Sequence, residues 1–262
     1  MVKNSGSDKV DILGCEVSRV DLAMAAARVE GLLRGGKHQV AVVPVSSVMT
    51  ARRDAAFRLI LNQATVVLPD GMPLVWASRL LGRPIPGRVA GADFLLKFSK
   101  LAAAKGYSFF FMGGQPGVPE ELARELRRLN PKLKIVGTCS PPFGRDFPPE
   151  VNQDIVRRIN LSRPDVLWVG LGASKQEKWI HDNLGRLEVK VAVGVGAAFD
   201  LCSGRVQRAP AWMCRSGLEW LHRFRLEPRR LFRRYFIEGL PFAPLVLWQA
   251  IMGRGRCGKA EH

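Results

Sequence analysis

The chain has 262 residues, 47% hydrophobic and 24% charged, and its 40 Lys and Arg against 23 Asp and Glu leave a net charge of +17. A chain nearly half apolar, with few runs of like charge, buries a sizeable core as one large domain or a domain with an appendage, which excludes disorder and low-complexity fibres. The positive excess favours an anionic partner, whether nucleic acid, an anionic membrane surface or a phosphorylated substrate, without choosing among them.

In chain order, the opening MVKNSGSDKVDILG lacks the apolar stretch of a secretory signal. Helical spacing follows over 21–33, 47–61, 73–81, 92–105, 119–129, 150–160 and 175–187. Short β-rich apolar runs lie over 39–45, 65–68, 108–112, 133–137, 165–171 and 189–195. The alternation of apolar runs with amphipathic stretches predicts a doubly wound, mostly parallel α/β sheet, and runs such as VLWVGLG predict strands buried on both faces. The five cysteines (Cys15, Cys139, Cys202, Cys214, Cys257) are scattered, never spaced as CxxC, and fit a reducing compartment without structural zinc. None of the four histidines has a partner at metal-ligand spacing.

After Asp200 no further strand is predicted, and helices separated by Pro210, Pro228 and Pro241 follow. Residues 201–262 hold 12 Lys and Arg against 4 Asp and Glu, a net +8, so the last quarter carries almost half of the excess. Its stretch GLEWLHRFRLEPRRLFRRYF interleaves Trp220, Phe224, Phe232 and Phe236 with arginines. That mixture suits a helix lying at an anionic lipid surface, and equally the solvated basic face of an ordinary packed helix. The longest uncharged run, 239–253, is 15 residues and contains two prolines. It falls short of the roughly 18 apolar residues of a spanning helix.

In open parallel sheets ligands bind beyond the carboxyl ends of strands. Asp70 and Gly71 follow one predicted strand, Gly113 and Gly114 another, Gly172, Lys175 and Gln176 a third, and Gly196 and Asp200 a fourth. Glycines there admit backbone amides to a phosphate, and a following helix offers its positive end, so the set suggests a nucleotide site; singly, each glycine is also ordinary turn chemistry. Neither GLGASKQE nor GVGAAFD completes G-x-G-x-x-G, which weakens a dinucleotide site, and no GxxxxGK[ST] phosphate loop occurs. Asp70 is placed to act as a general base, or to cap the helix starting near Met72. Arg88 suits phosphate or a surface loop, and Lys175 and Gln176 suit a bound base or sugar or simple first-turn solvation. No D-x-D metal-diphosphate pattern is present.

The ordered segments ARRDAAFRLILNQATVVLPDGMPLVWASRLLG, RVAGADF, FFFMGGQPGV, IVGT, RPDVLWVGLGASKQEKWI, VGVGAAFDLCSGRVQRAPAWM and GLEWLHRFRLEPRRLFRRY together resemble the WecG/TagA/CpsF family of bacterial glycosyltransferases. The resemblance implies a Rossmann-like catalytic domain over 1–200 that binds a UDP-sugar, and a basic helical, membrane-docking appendage over 201–262. It implies inverting, metal-independent and cofactor-free transfer to a polyprenyl-diphosphate-linked sugar in cell-surface or exopolysaccharide synthesis, at the inner face of the plasma membrane. By the same resemblance Asp70 matches the catalytic base and Arg88 a substrate-site arginine. Gln176 belongs to the nucleotide side, and Arg208, Arg215, Arg223 and Arg230 match arginines that reach the leaving group and the lipid. Homo-oligomerisation is left open.

Two departures bear on the donor. Many members carry Thr-x-Asn where this chain has Val42, Val43 and Pro44, and a His-Gly-Tyr-Phe type segment where it reads Cys139, Ser140, Pro141, Pro142, Phe143. Loss of a hydroxyl and an amide alters sugar discrimination, so an N-acetylmannosamine-like donor and another hexose such as glucose both stand. The rival readings are a basic nucleic-acid-binding α/β protein, with steeply salt-dependent affinity, and an NAD-dependent oxidoreductase.

Overall fold

The computed structural model describes residues 8–142, 144, 147–206, 213, 224, 225, 232 and 239–257. An antiparallel hairpin of β1 (Lys9–Ile12) and β2 (Cys15–Ser18) comes first, joined through Leu13 and Gly14 at φ 54° and 88°. Two positive φ values in a two-residue loop match the right-handed twist of the strands. The hairpin is absent from the sequence expectation. Its signal is the alternation of buried Val10, Ile12, Cys15 and Val17 with Lys9, Asp11 and Glu16.

The main sheet has six parallel strands in the order β4-β3-β8-β7-β5-β6, so the doubly wound α/β expectation holds. Its strands are β3 (His38–Pro44), β4 (Val66–Asp70), β5 (Ser108–Gly113), β6 (Lys134–Cys139), β7 (Val166–Gly170) and β8 (Val191–Gly194). One face is covered by α1 (Leu22–Leu32), α5 (Gly91–Lys105), α6 (Val118–Leu129) and the short α9 (Ala198–Cys202). The other carries α2 (Val45–Arg53), α3 (Ala55–Gln63), α4 (Met72–Leu80), α7 (Pro149–Ser162) and α8 (Lys175–Asn183). The helix expected over 47–61 is two helices, because Asp54 ends α2 and its carboxylate accepts from the Phe57 N–H as the N-cap of α3.

Alternate residues of each strand point into opposite cores. Val40, Val42, Phe109, Phe111 and Trp168 meet Phe94, Phe98 and Phe199 on one side, whereas Ala41, Val43 and Val67 meet Phe57, Leu61 and Leu74 on the other. Burial of each such side chain contributes about 1.5–3 kcal/mol. The apolar runs are continuous because both faces are covered. From β8 the chain leaves towards α9 on one face, while α2 and α8, following the strands on either side, leave on the other. Helices departing in opposite senses make the carboxyl ends of β3, β8 and β7 the topological switch point, the place where open α/β sheets bind ligands.

A last helix, α10 (Phe242–Cys257), follows Pro241 and returns to the body of the protein. Phe242 and Val246 bury in the core shared by the hairpin, α2, α3 and α4. Gln249 clasps the hairpin turn: its Oε1 accepts from Leu13 N–H at 3.0 Å, and its Nε2 donates to Asp11 O and Oδ1 at 3.1 and 2.9 Å. The opposite face of α10 leaves Leu247, Trp248, Ile251 and Met252 exposed, and the adjoining α4 exposes Trp76 and Leu80. Among the described residues no helix is long and apolar enough to cross a membrane.

Candidate active site

Asp70 is the last residue of β4, half-buried, in register with Pro44 at the end of β3. Gly71, at φ 125°, is the N-cap residue of α4, so Asp70 lies one position before the cap. The Val89 N–H donates to Pro69 O at 2.8 Å, which brings the loop carrying Arg88 against the end of β4. The Arg88 guanidinium, largely buried, pairs with Asp93 at 3.5 Å in the first turn of α5. A carboxylate and a braced arginine therefore share one strand end. Where the Thr-x-Asn of the resembling family would fall, Pro44 pairs with Asp70 across β3 and β4, while Val42 pairs with Leu68 and is buried in the core.

The glycines differ in what they do. A Cβ on Gly113, at φ 123°, would lie 2.5 Å from the carbonyl carbon and oxygen of Gly170, and one on Gly114 would lie 3.0 Å from Val118. These two positions serve the close approach of β5 to β7 and the turn into α6. Gly172, at φ 89°, has open space around it, and Gly196, at φ 52°, sits against the Gln176 amide.

Lys175, at the first turn of α8, donates to the Gly144 carbonyl and stacks its ammonium over the Phe147 ring at 4.2 Å. It is thus tied to the loop after β6 and does more than solvate a helix end. Gln176 is 2% exposed, and its Oε1 accepts from the Gly196 N–H at 2.9 Å while its Nε2 donates to Glu177 Oε1 at 2.7 Å. This side chain joins the loop after β8 to the start of α8.

Two residues not anticipated from the sequence hold these loops in place. Glu177 is 1% exposed, and burial pushes its carboxyl up to about 7, against hydrogen bonds from Gln176 and from the backbone N–H groups of Glu177 and Ser174 that pull it down. Ser174 to Glu177 reads S-x-x-E, the capping-box spacing, a signal that marks Glu177 in the sequence. Arg205 makes a two-pronged pair with Glu121, at 2.5 and 2.8 Å, and donates to Pro116 O at 3.3 Å. It fastens the segment after α9 to the glycine loop after β5, raising the arginine and lowering the glutamate through that shared hydrogen bonding. Asp200, in the first turn of α9, adds a further negative charge near Arg205.

Asp70, Gly71, Gly113, Gly114, Gly172, Lys175, Gln176, Gly196 and Asp200 lie at or just after the carboxyl ends of β4, β5, β7 and β8, and Arg88 lies in the loop held against the end of β4. Arg208, Arg215, Arg223 and Arg230 lie outside the described residues. Among the described residues no cluster of three or more His, Cys, Asp or Glu groups is placed to hold a metal ion.

Comparison with known proteins identifies relatives of the chain. An N-acetylglucosaminyldiphosphoundecaprenol N-acetyl-beta-D-mannosaminyltransferase of Bacillus spizizenii is 33% identical over 180 residues, 69% of this chain and 68% of the relative. The enzyme of the same description from Bacillus subtilis strain 168 is 31% identical over 191 residues, 73% of this chain and 72% of its own. A Staphylococcus aureus MRSA252 relative, 24% identical, covers 99% of this chain and 98% of its own. Residues 10–256 match the model of the glycosyl transferase WecG/TagA/CpsF family, and the chain belongs to that family.

Proposed function

We propose that the chain is an inverting, metal-independent glycosyltransferase that moves a hexose or N-acetylhexosamine-type sugar from a UDP-sugar to a polyprenyl-diphosphate-linked sugar acceptor. The observation that carries the reading is the Val89 N–H to Pro69 O bond, which brings the loop carrying Arg88 to the strand end that holds Asp70, in a sheet whose β7 and β8 are followed by Gly172 and Gly196 at positive φ. The names of the relatives supply the acceptor class. In this reading residues 1–200 form the UDP-sugar-binding catalytic domain and 201–262 the basic appendage, whose α10 returns to the core.

Asp70 accepts the proton of the acceptor hydroxyl as its oxygen attacks the anomeric carbon, and the carbon–oxygen bond to UDP breaks on the opposite side, which inverts the configuration. Negative charge then grows on the departing diphosphate. The N-terminal ends of α5 and α8, Lys175 and arginines of the appendage, Arg208, Arg215, Arg223 and Arg230, are suited to meet it. One well-placed donor of this kind contributes about 3 kcal/mol to the barrier. The missing D-x-D pattern favours these groups over a metal ion as the diphosphate's partner. Val42 and Pro44 replace a hydroxyl and an amide on β3, so N-acetylmannosamine-like and glucose donors are both retained.

The exposed apolar face of α10 and α4, on a protein of net charge +17, supports docking at an anionic membrane surface, where a lipid-linked acceptor resides. The test is a panel of UDP-sugars with a polyprenyl-diphosphate-linked sugar. The unmodified chain should transfer one of them, and Asp70→Asn should be slower by about 10²–10⁴-fold. Equal rates overturn the general base; no transfer from any UDP-sugar overturns the function.

A further inference from the structure

We propose that Glu177 is a positioning residue for the donor end of the site, holding the Gln176 amide in the one orientation that ties the loop after β8 to the start of α8. The inference rests on the reading that a nucleoside diphosphate lies over these loops. The Gln176 amide has two faces that look alike in size and differ in polarity. With Nε2 donating to Glu177 Oε1 and Oε1 accepting from the Gly196 N–H, both bonds form. With the Glu177 proton on Oε2, a flipped amide would set its oxygen against Oε1 and its NH₂ against the Gly196 N–H.

The strut is boxed in from three strands. A Cβ at Gly194 would lie 3.0 Å from Gln176 Cγ, so the end of β8 closes over the side chain. From β3, buried Gln39 donates its Nε2 to the Glu177 main-chain oxygen at 2.9 Å, which fixes the backbone at Glu177. In the loop after β7, Ser174 opens α8 at φ 64°, ψ −40°, a conformation that L-residues rarely adopt. Such strain persists where surrounding contacts over-determine it.

The second carboxyl oxygen, Glu177 Oε2, is buried with no hydrogen-bond partner among the described residues. A buried oxygen without a donor disfavours the carboxylate, and burial accordingly raises the group to about 7. The charged groups around it are engaged elsewhere. Lys178 of α8 pairs with Asp54 at the start of α3, and Arg58 of α3 lies against Gly14 of the hairpin. His38 of β3 contacts Thr65 and the Gly35 carbonyl, and Lys175 bonds Gly144. His181 and Asp182 of α8 are exposed, and β7 and β8 contain no titratable side chain. Ionised Glu177 would put an uncompensated negative charge behind the loop that receives an anionic diphosphate.

The experiment uses the full chain with UDP as the probe, titrated between pH 6 and 8.5, for the unmodified protein, Glu177→Gln and Glu177→Leu. Hydrogen exchange of residues 194–198 is followed without nucleotide. If only the neutral form binds, affinity for UDP falls about fivefold from the midpoint to one pH unit above it, and approaches a fall of about tenfold per unit beyond. Glu177→Gln keeps an acceptor oxygen and has no proton to lose, so it should flatten this dependence; protonation of UDP itself is common to both. Glu177→Leu should bind more weakly at every pH and exchange faster at 194–198, while still unfolding cooperatively. The same pH slope in the unmodified protein and Glu177→Gln overturns the assignment, as does unchanged exchange in Glu177→Leu. Failure of the unmodified chain to bind UDP at any pH overturns the donor reading, and the donor role of Glu177 with it, whatever the exchange shows.

Discussion

A carboxyl that keeps its proton up to about pH 7 when folded, against an ordinary value of 4.5, makes stability depend on pH in an unusual sense. Between those values the unfolded chain has already released the proton and the folded chain has not, so rising pH favours unfolding. The contribution is fully present below about 4.5, is lost by about 7 and is flat beyond, a span on the order of 3 kcal/mol. Asp54, whose carboxylate is lowered by its bond to Lys178, acts in the opposite sense and loses its contribution as pH falls. Glu177→Gln isolates the first effect. Its denaturant midpoint should rise relative to the unmodified chain on going from pH 5 to pH 8, the exchange of stability for site geometry that functional residues commonly show. At this scale Asp70 was legible, because a carboxylate between a proline and a glycine after an apolar run can only sit at a strand end. The contact of Gln176 with Gly196 was not, since it joins two loops across adjacent strands and depends on which strands are neighbours.

At the scale of elements, the strand pair β5–β7 is set by two glycines that leave no room for a side chain. Gly113→Ala would force a methyl group to within 2.5 Å of the Gly170 backbone at a φ of 123°. The change should cost about 3 kcal/mol or more, measured by denaturant unfolding, and a near-neutral result would show that the strands can separate without loss. Strand and helix positions were readable from periodicity because burial on both faces makes each strand a continuous apolar run. Two features escaped for definite reasons. The hairpin Lys9–Ser18 is short and rests on a Leu-Gly turn, in which leucine adopts a positive φ that its side chain disfavours. The α2–α3 break looks like uninterrupted helical spacing until the Asp54 carboxylate is seen competing for the backbone.

For the whole molecule, net charge and exposed apolar surface work at different ranges. In the proposed docking, the +17 would attract an anionic surface over about a Debye length, and exposed Trp76, Trp248 and their neighbours would supply the short-range insertion. Replacing Trp76 and Trp248 together by Ser should weaken co-sedimentation with anionic vesicles at least tenfold while leaving the unfolding midpoint close to that of the unmodified chain, because both side chains are already exposed. Undiminished binding would place the lipid contact elsewhere. The parallel sheet was legible from the alternation of elements, but its order was not: β8, the last strand in sequence, lies between β3 and β7, a choice made by tertiary packing alone.

The Gln249 clasp joins residues 236 positions apart. During synthesis the hairpin turn leaves the ribosome long before its partner, so the core beneath α10 stays open until residues 242–249 have been made. An interrupted product ending before residue 242 would lack Phe242 and Val246 and show the apolar underside of the hairpin and α4 instead. Closure of that seam therefore waits on residues 242–249 and joins the last described helix to the first strands of the fold.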